Sequence, residues 1–231
     1  TGKNTHISHG MMILPTGKMS SRTGDVVSAE EMVESARSFV LELMKDREMT
    51  DEEKMKTANQ VAIAGIKYLV LRQGTGKDVI YDAKKAMSFE GDSGPYLQYT
   101  AVRAKAVLRK AQEQTISPAP ITPLLFELLT GQSVEQGPLH ANAIKELIKK
   151  IYIFPEIVEK AYVENGPHAI ATYLIDLAGT FNACYAHTHI VDTTDESTKT
   201  RSAQLVTVTK AVLEVLTNGL YILGIEVPEK M

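Results

Sequence analysis

The sequence contains little of several residue types that characterise particular classes of protein. Its 231 residues include one cysteine and no tryptophan, and the lone Cys184 excludes an intrachain disulfide. No run approaches the roughly 20 apolar residues of a membrane-spanning helix. The first residues also lack the basic, apolar and small-residue regions of a secretory signal. We therefore expect a cytoplasmic protein without a membrane partner.

The chain also lacks a strong charge of either sign, because its formal net charge is -3. This balance argues against a protein covered in positive charge, but nucleic-acid binding depends on where the Lys and Arg residues lie. Hydrophobic residues make up 44% and charged residues 23% of the chain. These values are ordinary for a globular protein with a core.

Residues up to 27 predict a strand, a turn and a loop, after which the chain becomes helical. β-Branched and apolar residues alternate around Ile7 and Ile13, and Leu14-Pro15 begins the turn. Two helix starts follow, each a capping box of a hydroxyl residue with a glutamate three positions later. These boxes are Ser28 with Glu31 and Thr50 with Glu53. Segment 79–82 is ambiguous between a strand and a helical turn.

Residues 91–95 contain two glycines and a proline, and they predict a boundary between domains 1–90 and 91–231. Beyond them, apolar residues recur at helical spacing in segments 97–111, 124–129, 144–151, 157–162, 170–185 and 205–220. The polar stretch 189–198 lacks periodicity and predicts an exposed connection. The second domain is therefore predicted to be an α-helical bundle.

Segment 17–24 is a basic, hydroxyl-bearing loop between two glycines, with the sequence Gly-Lys-Met-Ser-Ser-Arg-Thr-Gly. A loop that follows a strand and offers an ammonium, a guanidinium and hydroxyls is suited to polyphosphate. Standing alone, the same segment would be better explained as a solvated basic turn. It predicts a nucleotide site only with support from the rest of the chain.

The helix predicted to begin at Pro95 has an apolar face and a face that carries Tyr96, Tyr99, Arg103 and Lys110. Aromatic rings beside cations suit a surface that stacks unpaired bases and neutralises phosphates. The alternative is a stripe of tyrosines that bury their rings and leave their hydroxyls in water. Residue types alone favour neither interpretation.

Two groups of residues resemble metal sites, but we predict no metal. Cys184, His187 and His189 lack an evident fourth ligand, and a buried thiol beside helix-end histidines explains them. His6 and His9 would share one face of a strand only if the strand were bulged.

Ordered blocks of the sequence resemble the arginyl-tRNA synthetase family. His-x-Ser-x-Gly at 6–10 leads to Gly-Lys-Met-Ser-Ser-Arg, and Gly-Pro-Tyr-Leu-Gln-Tyr follows at 94–99 with Arg103 and Leu-Arg-Lys at 108–110. Phe181-Asn182, Tyr185 and the block 224–231, Gly-Ile-Glu-Val-Pro-Glu-Lys-Met, resemble the family's anticodon-binding domain. Several ordered blocks are more specific than any single short motif.

The resemblance implies the C-terminal portion of a class I aminoacyl-tRNA synthetase with a mainly α fold. Domain 1–90 would then be a short strand and loop remnant of the catalytic core, with the signature loop and a helical connector that contacts the tRNA stem. Domain 91–231 would be the α-helical anticodon-binding bundle. The whole enzyme would be a monomer that joins arginine to tRNA(Arg) using ATP and Mg²⁺. The chain alone is expected to be inactive.

The same resemblance implies the functional residues. Lys18, Ser20 and Arg22 would be catalytic, and ATP would contact His9, Gly17, Lys18, Met19, Ser20 and Ser21. A cation that acts as phosphate charge redistributes affects rate more than ATP affinity. The loop departs from the family-wide pattern because Ser21 occupies the position of a second lysine. Either Arg22 or a lysine near the other signature motif, His-x-Gly-His, which this chain lacks, would replace that cation.

For tRNA binding, the resemblance implies Tyr96, Tyr99, Arg103, Lys110 and Met231. Two alternatives stay open at this point. One is a free-standing, non-catalytic tRNA-binding module, against which the intact loop at Lys18 to Arg22 argues. The other is a related synthetase such as the cysteinyl enzyme, against which the Gly-Pro-Tyr-Leu-Gln-Tyr block argues.

Overall fold

A computed structural model describes residues 6–15, 17–18, 27–120 and 139–231. Its strands are β1 (Met12–Leu14), β2 (Gly17–Lys18) and β3 (Val79–Ile80). Its helices are α1 (Ala29–Leu43), α2 (Asp51–Leu71), α3 (Ala83–Ala86), α4 (Gly94–Glu113), α5 (Leu139–Glu164), α6 (His168–His187) and α7 (Glu196–Ile222). The described chain is mainly α-helical, which confirms the predicted fold class.

Both predicted capping boxes are present and begin α1 and α2. The Ser28 hydroxyl accepts from the Glu31 amide at 3.1 Å, and the Glu31 carboxylate accepts from the Ser28 amide at 2.8 Å. Thr50 and Glu53 make the same pair of bonds before α2. Each box satisfies amides that a helix otherwise leaves without partners in its first turn.

The small sheet has the order β2-β1-β3, with β1 antiparallel to β2 and parallel to β3. The Val79 amide donates to the carbonyl of Met11, just before β1, at 2.9 Å, and the Tyr81 amide donates to the carbonyl of Ile13 in β1 at 2.8 Å. The ambiguous segment 79–82 therefore begins with a short strand, Val79–Ile80, and ends at Asp82, the N-cap residue of α3. The strand predicted around Ile7 and Ile13 is shorter than expected: among the described residues it covers Met12–Leu14, and residues 6–11 form no strand.

Helix α5 is continuous, although the sequence predicted separate helical segments on either side of Pro155. Proline removes one intrahelical amide donor and disfavours continuation of the helix. Here the helix continues because both halves pack against α6, where the Phe154 and Tyr173 rings stack with centroids 5.6 Å apart. The predicted segment 124–129 lies outside the described residues.

The connection predicted at 189–198 is shorter and less exposed than expected. Asp195 and Thr198 form a third capping box, so that α7 begins at Glu196. Ile190 is 5% exposed and packs into the core of the bundle. Thr188 is also buried. The exposed connection is therefore limited to the residues between Ile190 and Asp195.

Two hydrophobic clusters fill the described part of the molecule. The larger cluster lies among α4, α5, α6 and α7, and the smaller one lies among α1, α2, β3 and α3. Helix α2 contributes Ala64 and Tyr68 to the larger cluster and Val61 and Leu69 to the smaller one. Helix α2, which precedes the predicted boundary between residues 90 and 91, therefore packs into both clusters. The domain boundary stays a prediction.

Helix α7 is long and apolar enough to cross a membrane by length and composition alone. Half of that apolar window is buried within the protein. Its fully buried Val212, Leu216 and Leu220 belong to the larger cluster. This burial is typical of the central helix of a folded bundle.

Candidate nucleic-acid interface

Helix α4 positions the predicted RNA-binding face. The Ser93 hydroxyl caps it by accepting from the Tyr96 amide at 3.1 Å, and Pro95 occupies its first turn, where no amide donor is needed. One face is buried at 1% exposure or less, through Leu97, Ala101, Ala104 and Ala111. Because this face of α4 packs into the core, Tyr96, Tyr99 and Arg103 lie on another side of the helix, where they are half-buried.

Arg103 lies between two tyrosine rings. Its Cζ is 4.7 Å from the centroid of the Tyr99 ring and 4.8 Å from that of Tyr185 on α6. Its Nη2 donates to the Tyr99 hydroxyl at 3.0 Å and its Nη1 to Asn182 Oδ1 at 2.5 Å. A planar guanidinium suits this position because it can stack and donate in its own plane.

Asn182 connects this arginine to the rest of α4. Its Nδ2 donates to the Tyr96 hydroxyl and to Thr100 Oγ1, both at 2.9 Å. The amide therefore uses both its donors and its acceptor within the protein. The side chains of this face are held in one arrangement before any ligand arrives, which lowers the entropy cost of binding.

These side chains line a cleft of about 520 Å³. One wall is the end of α1 with residues 89–90, and the other is formed by α4 and α6. The lining residues are Leu43, Met44, Arg47, Phe89, Glu90, Tyr96, Tyr99, Arg103, Asn182 and Met231. An apolar cleft with aromatic rings and a cation on one side can take the flat face of an unpaired base.

The structure brings four of the five predicted RNA-binding residues to this cleft: Tyr96, Tyr99, Arg103 and Met231. Lys110 is exposed and does not line the cleft. Seven helical residues separate it from Arg103, which corresponds to about 10 Å along the helix. That Lys110 binds RNA stays a prediction, and it would do so on the surface beside the cleft.

Sequence reasoning missed Asn182 and Tyr185 as site residues. The signal was an amide and an aromatic residue three positions apart, which share one face of a helix. It also missed the opposite wall, where Leu43, Met44 and Phe89 contribute apolar surface. No local pattern marks those three, because their place at the cleft depends on how α1 and α2 pack beside α4.

Of the predicted ATP-binding residues, His9, Gly17 and Lys18 lie within the described residues. Gly17 and Lys18 form β2, paired with Leu14 and Ile13 of β1. The His9 side chain is exposed, and its Nδ1 contacts the Gly10 carbonyl at 2.9 Å. Met19, Ser20, Ser21 and Arg22 lie outside the described residues.

A second cavity, of about 480 Å³, lies beside the end of β1 and is bordered by Pro15. Tyr68 donates its hydroxyl hydrogen to Asp92 there, and Arg72 Nη2 is 2.7 Å from Asp92 Oδ2. Burial, together with the bond to Asp92, raises the pKa of Tyr68 far above its ordinary value. The Tyr68 hydroxyl therefore keeps its proton near neutral pH and donates it to Asp92, next to the N-cap residue Ser93 of α4.

Of the residues that resembled a zinc site, Cys184 is buried, whereas His187 and His189 are exposed. Cys184 is 4% exposed, and burial raises the pKa of its thiol. Its Sγ lies 3.9 Å from Thr188 Oγ1. Within residues 6–15, 17–18, 27–120 and 139–231, no group of three or more His, Cys, Asp or Glu side chains is arranged to hold a metal ion.

Comparison with known proteins identifies the domain that contains the cleft. Residues 97–231, more than half of the chain, match the model of the DALR anticodon binding domain. Similar curated proteins include the arginine–tRNA ligases of Flavobacterium psychrophilum and Parabacteroides distasonis. They are 31% and 35% identical over 98% of this chain. The chain spans 35% and 36% of their lengths.

Solved structures agree with this relationship. The arginyl-tRNA synthetase of Thermus thermophilus matches 96% of this chain with a TM-score of 0.75 and 28% identity, and the match covers 35% of that protein. The synthetase of Plasmodium falciparum, at 19% identity over the same share of both chains and a TM-score of 0.60, shows the common fold alone. The chain therefore belongs to the family of the DALR anticodon-binding domain, and the predicted resemblance to the C-terminal portion of arginyl-tRNA synthetases is confirmed.

Proposed function

We propose that the cleft between α1, α4 and α6 binds an unpaired base in the anticodon loop of tRNA(Arg). The observation that carries this proposal is Arg103, which Asn182 holds between Tyr99 and Tyr185 inside a domain of an anticodon-binding family. A guanidinium held in place with half-exposed rings offers both stacking surface and positive charge to RNA. Met231 supplies apolar surface to the same cleft.

The chain acts, in this proposal, within a longer arginine–tRNA ligase of the cytoplasm. That enzyme activates arginine with ATP and Mg²⁺ and transfers it to tRNA(Arg). Lys18, Ser20 and Arg22 would stabilise the charge that develops on the phosphates, while His9, Gly17, Met19 and Ser21 would contact the nucleotide. The support is the similarity to arginine–tRNA ligases over 98% of this chain.

Substitution at Tyr99 tests the anticodon proposal. Tyr99→Ala should weaken binding to a tRNA(Arg) anticodon hairpin by about 1 to 3 kcal/mol, because one stacking surface is lost. Titration of a fluorescently labelled hairpin measures the affinity. Tyr152→Ala on α5 is the matched control, because this residue is 79% exposed and is not among the residues that line the cleft. An unchanged titration curve for Tyr99→Ala would assign this ring to the protein core instead.

The role within a longer ligase has its own test. The 231-residue chain should give no ATP–pyrophosphate exchange with arginine, because it spans only about a third of the length of its relatives. A longer protein that contains the chain should exchange, and Lys18→Ala there should lower the rate more than the ATP affinity. Robust exchange by the chain alone would refute the proposed division of labour.

A further inference from the structure

The segment 224–231, which we call the return segment, runs back from α7 across α2 and α4. Gly224 begins it with φ at 66°, a conformation that glycine adopts without strain. The Ile225 amide donates to the Leu220 carbonyl at 2.8 Å, and the Ile225 side chain is 3% exposed. Lys67 of α2 donates to the Gly224 carbonyl. The segment is thus fixed at the point where it leaves α7.

Gln98 of α4 fixes the middle of the return segment. Its side chain is fully buried, and its Nε2 donates to the Glu226 carbonyl at 2.6 Å and to the Gln60 carbonyl of α2 at 3.3 Å. Both partners are acceptors, so only the amino end of the amide can face them. One side chain therefore joins α2, α4 and the return segment.

Lys105 fixes the last part of the return segment. It follows Gln98 by two helical turns, so both residues lie on the same side of α4. Its Nζ donates to the Pro228 carbonyl at 3.3 Å and lies 2.7 Å from Glu229 Oε1. The hydrogen bond and positive charge of Lys105 lower the pKa of the Glu229 carboxyl. The Lys105 side chain is 24% exposed, whereas the Glu229 side chain is 87% exposed, so water screens this ion pair.

One side of α4 thus lines the cleft, and the other side holds the return segment. Tyr96, Tyr99 and Arg103 line the cleft, whereas Gln98 and Lys105 hold the segment that ends at Met231. Met231 lines the same cleft and packs, partly buried, against the smaller hydrophobic cluster. Its position depends on that packing and on the course that the return segment takes.

We propose that Gln98 and Lys105 are positioning residues that place Met231 in the cleft for RNA binding. Neither residue lines the cleft, so both act through the return segment. This inference rests on the proposed function. If Met231 is held in place before binding, it adds contact area with no loss of conformational entropy on binding. A loose segment would lose that entropy each time a hairpin binds, which would weaken the affinity.

A double-mutant cycle on the full chain tests the inference. Affinity for the tRNA(Arg) anticodon hairpin is measured for Gln98→Met, Met231→Ala and the two changes combined. Each single change should weaken binding about fivefold, and the combination should also weaken it about fivefold rather than about 25-fold. Gln98→Met keeps the side-chain length and removes the amide, whose Nε2 donates both hydrogen bonds and whose Oε1 is buried without a hydrogen-bond partner.

A matched control separates positioning from general loss of stability. Thr209→Val removes a hydroxyl that is 1% exposed and bonds only to the Leu205 carbonyl within α7. Its effect on unfolding should resemble that of Gln98→Met, but hairpin affinity should stay unchanged. Binding is measured well below the unfolding midpoint of every variant, which circular dichroism determines.

Lys105→Met repeats the cycle at a more accessible position, which keeps the inference testable if Gln98→Met does not fold. Its control is Lys199→Met, which removes one positive charge and a pair with Glu196 at 3.6 Å, away from the return segment. If the combination of Lys105→Met and Met231→Ala weakens hairpin binding no more than either single change, the inference is supported. If the two fold-changes multiply, the inference is overturned.

Two further outcomes separate the inference from the proposed function. If Met231→Ala leaves hairpin affinity unchanged while Tyr99→Ala weakens it, only the inference is overturned. If neither Met231→Ala nor Tyr99→Ala changes hairpin affinity, the proposed function is overturned as well.

Discussion

At the scale of single residues, Arg103 shows why an arginine is needed at this point of α4. It is enclosed by the Tyr99 and Tyr185 rings, and it donates from two nitrogens to two different acceptors. A lysine ammonium could approach one ring or one acceptor, but it has no planar face that would fill the space between two rings. The position therefore depends on the shape of the guanidinium as much as on its charge.

The first prediction follows from that shape. Arg103→Lys keeps the charge but loses the stacking and one of the two hydrogen bonds, so hairpin binding should weaken by about 1 to 2 kcal/mol. The dependence of affinity on salt concentration should change little, because the charge is retained. Arg37→Lys on α1, where the arginine pairs with Glu34 at the surface, is the control. Wild-type affinity for Arg103→Lys would contradict the assigned role.

At the scale of elements, the sequence predicted most helices because their signals are local. The boxes at Ser28 and Thr50 begin α1 and α2 as expected, and the buried positions of α1 follow the 3.6-residue repeat. The face with Tyr99 and Arg103 could also be predicted, since residues three and four apart on a helix share a side. These parts need no knowledge of the tertiary fold.

Other parts could not be predicted because they depend on contacts between distant segments. Helix α5 continues through Pro155 where it packs on α6, and the course of the return segment depends on Gln98, 128 residues away from Glu226. The Leu43 wall of the cleft is likewise set by the packing of α1 and α2 beside α4. The periodicity of apolar residues in the sequence does not indicate any of these contacts.

The second prediction concerns the contact that stabilises α5. The Tyr173 hydroxyl donates to the Lys150 carbonyl at 2.7 Å, one turn before Pro155 interrupts the intrahelical bonds. Tyr173→Phe should lower the free energy of unfolding by about 1 kcal/mol, which urea denaturation near pH 7 measures. The surface change Tyr162→Phe, on a ring that is 83% exposed, should have no measurable effect.

The pH dependence of Tyr173→Phe gives the same prediction an independent measurement. Burial raises the pKa of Tyr173 above its ordinary value, so the folded state favours the protonated phenol. The stability that this shift contributes is fully present below about pH 10 and is lost as the pH rises toward the folded pKa. The difference in stability between wild type and Tyr173→Phe should therefore shrink above pH 10. A constant difference would contradict the burial that raises the pKa of Tyr173.

At the scale of the whole molecule, the cleft exists because two hydrophobic clusters share one helix. α2 packs against α1 on one side and against α4 on the other, so it connects the α1 wall of the cleft to α4. The two helices approach each other closely at Gly94, where a Cβ atom would come within 2.3 Å of the Ala64 carbonyl oxygen. Any larger residue at this position must separate α2 from α4.

The last prediction uses that approach. Gly94→Ala should destabilise the protein by about 1 to 3 kcal/mol, because the added methyl group meets backbone that cannot rotate away. It should also weaken hairpin binding, since the wall formed by α1 moves away from Tyr99. Gly179→Ala is the matched control: a Cβ there meets nothing within 4 Å, and alanine should stabilise α6 by about 0.5 to 1 kcal/mol. If Gly94→Ala lowers stability but leaves binding unchanged at temperatures where it is folded, then α4 and α6 bind the RNA without the wall from α1.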